Sequence, residues 1–565
     1  MQVQQTAVQR GVTRSLGLPT NRGLRTSSRI LTLSTTPTVN AASVLSRPPT
    51  SASEPQEVVS SSTSAELSVK YEPYVWTKHW YPIASVVELD ETRPTPFVVL
   101  GKELVVWRDG TNTWRAFQDM CPHRLAPLSE GRVEKDGSLL CAYHAWRFDG
   151  SGACKAIPQA RDKDQEALAM RAPRACAKAY PTCEVQGLVW VWPDDSPSAL
   201  LESMAEGPRL IDEMFDESLK ERLAPKAWRS AELPYGHDYF LENVVDPSHV
   251  VVSHHNIVGN RYTDPSFIDL QQQKPLNREE GFQFQNLRNK NIDGTPAKNG
   301  VTITTDFKPP CLVRISSVDE AGAQTILALY STPSRPGYTR HVGAQIFVEG
   351  RDGKKSKGLG VFSLPLPIWL LHLMGPAFLH QDAVFLHWQE KIAARGKMGS
   401  QRAVDKYFTP TSADKMVLAL RQWLERFSPA GVPFYGAYAN APLPEVERDP
   451  AKLFDTWNAH TKHCKICKKA HDNMEKLQPV AWAIAAVAAM QAAIIGASSA
   501  AAKASALAAA GASVGTATTT AALALPPVGA VVCGGVALLA VGVALLLSKL
   551  VSLYHVFPFS HADNH

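Results

Sequence analysis

No acidic residue precedes Glu54, whereas Arg10, Arg14, Arg22, Arg25, Arg29 and Arg47 stand before it among many Ser and Thr. No apolar stretch of secretory type accompanies them, which excludes a signal peptide. An acid-free leader rich in Arg and Ser has the composition of an organelle transit peptide, placed here at residues 1–60. A large net charge is also lacking: 565 residues carry +5, so nothing calls for nucleic acid as a partner. Nine cysteines at irregular spacing exclude a secreted disulfide framework. No Gly-rich dinucleotide motif follows a strand, so any nicotinamide-linked reductase is a separate protein. With 45% apolar and 20% charged residues, the bulk of the chain is ordinary globular sequence, long enough for about three or four units.

Two apolar runs lie near the C-terminus, 480–502 and 525–547, both uncharged. Each is long enough to cross a hydrocarbon core of about 30 Å. Lys468, Lys469 and Lys476 precede the first run and Lys549 follows the second, so the positive flanks fall on one side, as a helical hairpin requires.

Two segments carry the chemistry-bearing cysteines. CPHRLAPLSEGRV holds Cys121 and His123; CAYHAWRFDGSGAC holds Cys141 and His144. A C-x-H and a C-x-x-H suit either zinc or a Rieske [2Fe–2S] cluster. Each loop supplies one Cys and one His, which favours the cluster, where thiolates hold one iron and imidazoles the other. FVVLGKELVVWRDG and LVWVWPDD read as flanking strands, Pro122 and Pro127 stiffen the first loop, and Gly131 permits a tight turn. Residues 70–195, with HWYPIA near their start, resemble the Rieske domain of ring-hydroxylating oxygenases.

The next segment, DYFLENVVDPSHVVVSHHN, contains Glu242, Asn243, Asp246, His249 and His254, with His255 a rival to His254. Apolar residues at 239, 240, 244 and 245 predict a helix up to the Asp-Pro step. Two imidazoles here supply two legs of a 2-His-1-carboxylate triad for Fe(II), with open positions for O2 and substrate. The segment is similar to the iron motif of Rieske non-haem oxygenases. That resemblance implies a third ligand on a long helix near the end of the catalytic domain. FLHQDAVFLHWQEKIAARG fits, with Asp382 as the ligand and Glu390, read as an exposed helix charge, second. It also implies that Asp246 joins the His144 of one subunit to the His249 of its neighbour in a ring, typically a homotrimer, and that Asn243 lines the iron site.

With a transit peptide and two C-terminal spans, the chain resembles the plastid pheophorbide a oxygenase group. The residues that carry this are ENVVDPSHVVVSHHNIVGNR, YFTPTSADKMVLALRQWLERF and DTWNAHTKHCKICKKA. The resemblance implies an α+β fold: a Rieske β-sandwich (70–195), a helix-grip catalytic domain (200–445), a linker with the C-x-x-C of Cys464 and Cys467 (446–478), then two transmembrane helices. It implies a chloroplast membrane, thylakoid or inner envelope, with the catalytic domains facing the stroma. The implied activity is ferredoxin-dependent oxygenolytic opening of pheophorbide a, a tetrapyrrole, to red chlorophyll catabolite with O2. The alternatives are hydroxylation of protochlorophyllide, chlorophyllide or a phyllobilin, or a redox-sensing role in chloroplast import. A large apolar cavity is required for such a pigment. The basic neighbours of Cys464 and Cys467 predict lowered thiol pKa values and a thioredoxin-operated switch; a metal site of His463, Cys464, Cys467 and His471 is the rival reading.

Overall fold

The computed structural model describes residues 71–225, 227–290, 296–354, 364–399, 401–509 and 526–560. The transit-peptide segment lies outside the described residues.

The Rieske half is mostly β, with one short α-helix at Lys163–Met170. Tyr81–Ser85 pairs with Leu188–Val191, which pairs with Thr182–Val185. A second sheet runs Thr95–Val99, Lys102–Arg108, Trp114–Gln118, Ala179–Tyr180. Leu100 and Gly101 join its first two strands as a two-residue turn with both φ positive, at 52° and 75°. Leu100 tolerates that backbone because it is fully buried and its N–H and C=O bond to Pro333 and Tyr435 of the other half. A third sheet of two- and three-residue strands, from Arg132 to Ala156, carries the Cys141 loop between two of its strands. Gly131 is needed there for close approach rather than for a turn. Its φ is an ordinary −79°, but a Cβ would lie 2.2 Å from the Leu140 carbonyl oxygen.

The catalytic half is an antiparallel sheet. Its strands are β1 (Leu223–Pro225), β2 (Arg229–Leu233), β3 (Leu270–Asn277), β4 (Gly281–Lys290), β5 (Pro296–Lys308), β6 (Leu312–Asp319), β7 (Gln324–Arg335) and β8 (Tyr338–Val348). They run β1-β8-β7-β6-β5-β4-β3, with β2 also on β8. Helices α1 (His237–Val245), α2 (Val250–Ser253), α3 (Ile368–Ala393) and α4 (Lys415–Phe427) complete this half. The 26 residues of α3 span about 39 Å at 1.5 Å per residue. Its buried positions include 372, 376, 380, 383, 387 and 390, a stripe of three- and four-residue steps. Glu390 belongs to that stripe. It is buried and pairs with Lys391 at 2.7 Å, so the expectation of an exposed charge is corrected.

The halves share one core. Trp76, Tyr81, Trp190 and Trp228 pack with Tyr330, Trp423 and Phe307. Buried Glu88 accepts from the Ser230 N–H at 2.9 Å, and Thr332 donates to the Pro82 carbonyl at 2.8 Å.

The C-terminal segment folds as α5 (Lys465–Ala509) and α6 (Val528–His555), both long and apolar enough to cross a membrane. The first begins inside the segment read as a linker, so the C-x-x-C sits on a packed helix start. Ala481, Ala485 and Ala488 on α5, and Ala537, Ala540 and Ala544 on α6, are buried, while Ile494, Leu538, Leu539 and Leu546 are exposed. Small residues between the helices and branched apolar ones outside suit a lipid-facing pair. The chain then returns to the catalytic half, where the Phe557 N–H donates to the Phe454 carbonyl and Val556 bridges Asp455.

Candidate functional site

The two Rieske loops are near copies of each other. The Cys121 N–H donates to the Ala126 carbonyl and the Leu125 N–H to the Cys121 carbonyl; Cys141, Ala145 and Trp146 repeat both bonds at 2.8 and 2.9 Å. Leu125 and Ala145 have positive φ, 60° and 57°. This backbone is unfavourable for residues with a Cβ and clusters at functional sites. It turns each loop so that its Cys is buried and its His lies nearer the surface, with the His123 and His144 rings 4.7 Å apart. His123 stacks on Trp146 at 4.5 Å. Burial pushes the Cys121 thiol up to about 12, while the N–H groups of His123 and Arg124 point at its sulfur. Two buried sulfurs opposite two paired imidazoles, with N–H donors on a sulfur, is a donor set that fits a Rieske cluster.

The second site is built where α1 stops. The residue before a proline avoids the helical region, and Asp246 is extended (φ −81°, ψ 114°) ahead of Pro247. His249 and His254 then bracket the single turn of α2. Residues five apart on an unbroken α-helix point about 140° from each other. The break at His254 (φ −90°, ψ 40°) cancels that divergence and brings the rings to 5.4 Å.

Both imidazoles then aim Nε2 at Asp382 on α3. His254 Nε2 lies 3.3 Å and His249 Nε2 3.9 Å from Asp382 Oδ2. Of the opposite ring nitrogens, that of His254 is hydrogen-bonded and that of His249 is buried without a hydrogen-bond partner among the described residues. His254 Nδ1 contacts Gln381 Oε1 at 2.7 Å, and His249 Nδ1 lies 3.5 Å from Asp246 Oδ2. The partner on His254 Nδ1 frees its Nε2 to serve as a ligand, and Asp246 is the carboxylate next to His249 Nδ1. Ser253 donates its hydroxyl to Asp382 Oδ1, and Phe378 stacks on His254. Two imidazoles and one carboxylate, with ligand atoms within 4.8 Å of one another, fit a ferrous ion held on one face.

The triad forms part of the wall of a cavity of about 240 Å³. Leu327, Leu329, Phe378 and Leu379 make that wall apolar; Asn243 and Arg229 also line it. The expectation of a large cavity is corrected, since 240 Å³ falls below the roughly 300 Å³ at which ligand pockets begin. Arg229 is a half-buried cation on that wall. Its Nε donates to the His372 carbonyl at 3.1 Å, and its Nη1 has no hydrogen-bond partner among the described residues.

Other expected residues fall elsewhere. His255 accepts from the Arg261 N–H and touches Tyr262, away from the triad. Within one chain Asp246 pairs with Ser248 and His249, not with His144. Cys464 and Cys467 are 1% and 0% exposed. The Cys464 thiol is raised, first by its hydrogen bond with Cys467 and then by burial, so the lowered thiol pKa read from the lysines is corrected. The lysine stems lie outside this burial and do not solvate the sulfurs. The rival metal set is corrected as well: His471 contacts Asp472 and His555, while His372 and His460 lie beside the two sulfurs. His372 lies 92 residues before Cys464, whereas His460 stands four residues before it, in the same segment as His463.

Residues 79–180 match the family model "Rieske [2Fe-2S] domain", and residues 307–400 match "Pheophorbide a oxygenase", a stretch that includes α3. The chloroplastic pheophorbide a oxygenase of Oryza sativa subsp. japonica is 34% identical, over 75% of this chain and 78% of that protein. The chloroplastic flavonoid 8-hydroxylase 2 of Ocimum basilicum is 32% identical, over 76% and 80%. The protochlorophyllide-dependent translocon component 52 of Arabidopsis thaliana is 31% identical, over 72% and 75%.

Proposed function

This chain belongs to the pheophorbide a oxygenase family of Rieske oxygenases, and from that premise we propose that it oxygenates a chlorophyll-derived tetrapyrrole bearing a free carboxylate. The substrate is pheophorbide a, opened to red chlorophyll catabolite. The electron donor is ferredoxin, and the working unit is a ring of three chains in which the His144 of one meets the Asp246 of the next. The catalytic halves face the stroma at a thylakoid or inner-envelope membrane.

The oxidoreductase carries a Rieske [2Fe–2S] cluster and a mononuclear non-haem iron. When bound, they supply single electrons and the open positions at which O2 is activated. Cys121, Cys141, His123 and His144 would hold the first; His249, His254 and Asp382 the second. Gln381 keeps His254 in the ligating tautomer, and Asp246 lies 3.5 Å from His249 Nδ1. Leu327, Leu329 and Leu379 exclude water from the reacting edge of the substrate.

One observation carries the substrate class: an apolar cavity beside the triad contains a half-buried guanidinium with an unpaired N–H. A half-buried cation and an unsatisfied donor are both costly, and a substrate carboxylate removes both costs. Given the cavity's size, the macrocycle enters edge first and offers one bridge carbon to the iron. The test is anaerobic binding of pheophorbide a to the reduced protein, then isotopically labelled O2 and mass spectrometry. A ring-opened, labelled product supports the reading; unchanged pigment overturns it.

The cavity volume favours a second reading, a small flat phenolic. That matches the name of the basil relative. The same assay with a flavone decides between them, because a neutral flavone makes no use of Arg229.

A further inference from the structure

Ten residues before Asp382 on α3, His372 joins a second group of ligand-type side chains. His372, His460, Cys464 and Cys467 bring four ligand atoms within 4.8 Å of one another, and all four residues are buried. They come from three places: α3, the turn before α5, and the first turn of α5 itself. His460 Nε2 lies 3.3 Å from Cys467 Sγ, and His372 Nδ1 lies 3.7 Å from Cys464 Sγ and 3.6 Å from Cys467 Sγ.

These separations are those of a tetrahedron. With metal–sulfur bonds of about 2.3 Å and metal–nitrogen bonds of about 2.0–2.1 Å, a tetrahedral angle puts sulfur about 3.6 Å from nitrogen. The Cys-x-x-Cys spacing is the usual one for a structural zinc site. His460 turns its other nitrogen to the Ser230 carbonyl at 2.5 Å, the outer contact that fixes a ligating tautomer. Two thiolates and two neutral imidazoles cancel a dication, and the nearby Glu88 is already bound to Ser230. A plain dithiol accounts for less: the sulfurs would make only weak S–H hydrogen bonds to two buried imidazoles, one of them brought from α3.

We infer that His372, His460, Cys464 and Cys467 form a structural zinc site that fastens the base of the helical pair to the catalytic helix α3. No position is left open for water, so the ion is structural rather than catalytic. The buried sulfurs react with thiol reagents only after the metal leaves.

The full chain, purified in detergent, is analysed for zinc and iron together. About one zinc per chain is expected, with an X-ray absorption spectrum of two sulfur and two nitrogen neighbours. Cys467→Ser and His460→Gln are expected to lower zinc at least tenfold while the Rieske EPR signal persists. Iron-replete protein without zinc, a fourth iron in its place, or a shell of oxygen and nitrogen alone overturns the site. A mixed disulfide with thioredoxin formed by the untreated chain also overturns it. If both variants fail to fold, the absorption spectrum of the unmodified chain still decides, as does the visible band of tetrahedral cobalt(II) thiolate after exchange.

Discussion

Pro376 and Arg229 stand in a compensating relation. Proline has no N–H, so the carbonyl of His372, four residues earlier on α3, loses its helical donor. Arg229 Nε occupies that place at 3.1 Å from outside the helix. One guanidinium thereby holds the helix at its proline, while its Nη1 has no hydrogen-bond partner among the described residues.

Arg229→Met is expected to cost about 1–3 kcal/mol, the penalty for a buried acceptor left unpaired. It should also weaken binding of pheophorbide a by tenfold or more while leaving the propionate methyl ester of the same pigment nearly unaffected. Fluorescence titration with acid and ester checks this; an equal loss for both would remove the carboxylate contact.

Arg421 lies buried between Asp238, at 2.6 Å, and Glu242 on α1, the helix that leads into the iron motif. Arg421→Met leaves Glu242 buried without its cation, at an expected cost of about 3–5 kcal/mol. The double variant with Glu242→Gln should recover part of that loss. Denaturant midpoints measure both, and additive losses would argue against coupling.

Gln381→Leu removes the partner of His254 Nδ1. Affinity for the mononuclear iron is expected to fall about 10–100-fold, read by chelator competition, with the Rieske EPR signal unchanged. Loss of both centres would mean a general folding defect instead.

Asp109 gives the Rieske half an acid limb. Burial works against its carboxylate, but Thr111, Arg115 and Thr113 outweigh burial and hold its pKa below the usual aspartate value. The resulting stabilisation is complete above the unfolded-state pKa and is lost as pH falls through the lowered folded value. Asp109→Asn should therefore unfold more readily at neutral pH and show a flatter stability profile below about pH 4. Parallel profiles for variant and parent would rule this out.

Local spacing made some of this legible. The Cys/His pairs, the Asp-Pro stop and the two histidines after it lie within short segments, and Asp382 stands out as an acid within apolar helix sequence. Distant packing was not legible. Leu125 and Ala145 adopt a backbone that glycine would have signalled. Glu390 meets Gly236 and its neighbour Lys391 meets Pro234, and Arg229 reaches the His372 carbonyl from a distant strand. The cysteine pair misled because charge along the chain was read in place of the medium around the sulfur.

The return of the chain from α6 to Phe454 has a geometric consequence. The helical pair is joined to the catalytic half at both ends, by a packed helix start and by Phe557, whose carbonyl meets His380 on α3, so no slack tether separates them. In a bilayer the triad would stand at a fixed height above the lipid. A pigment dissolved in that lipid would then search for it in two dimensions instead of three.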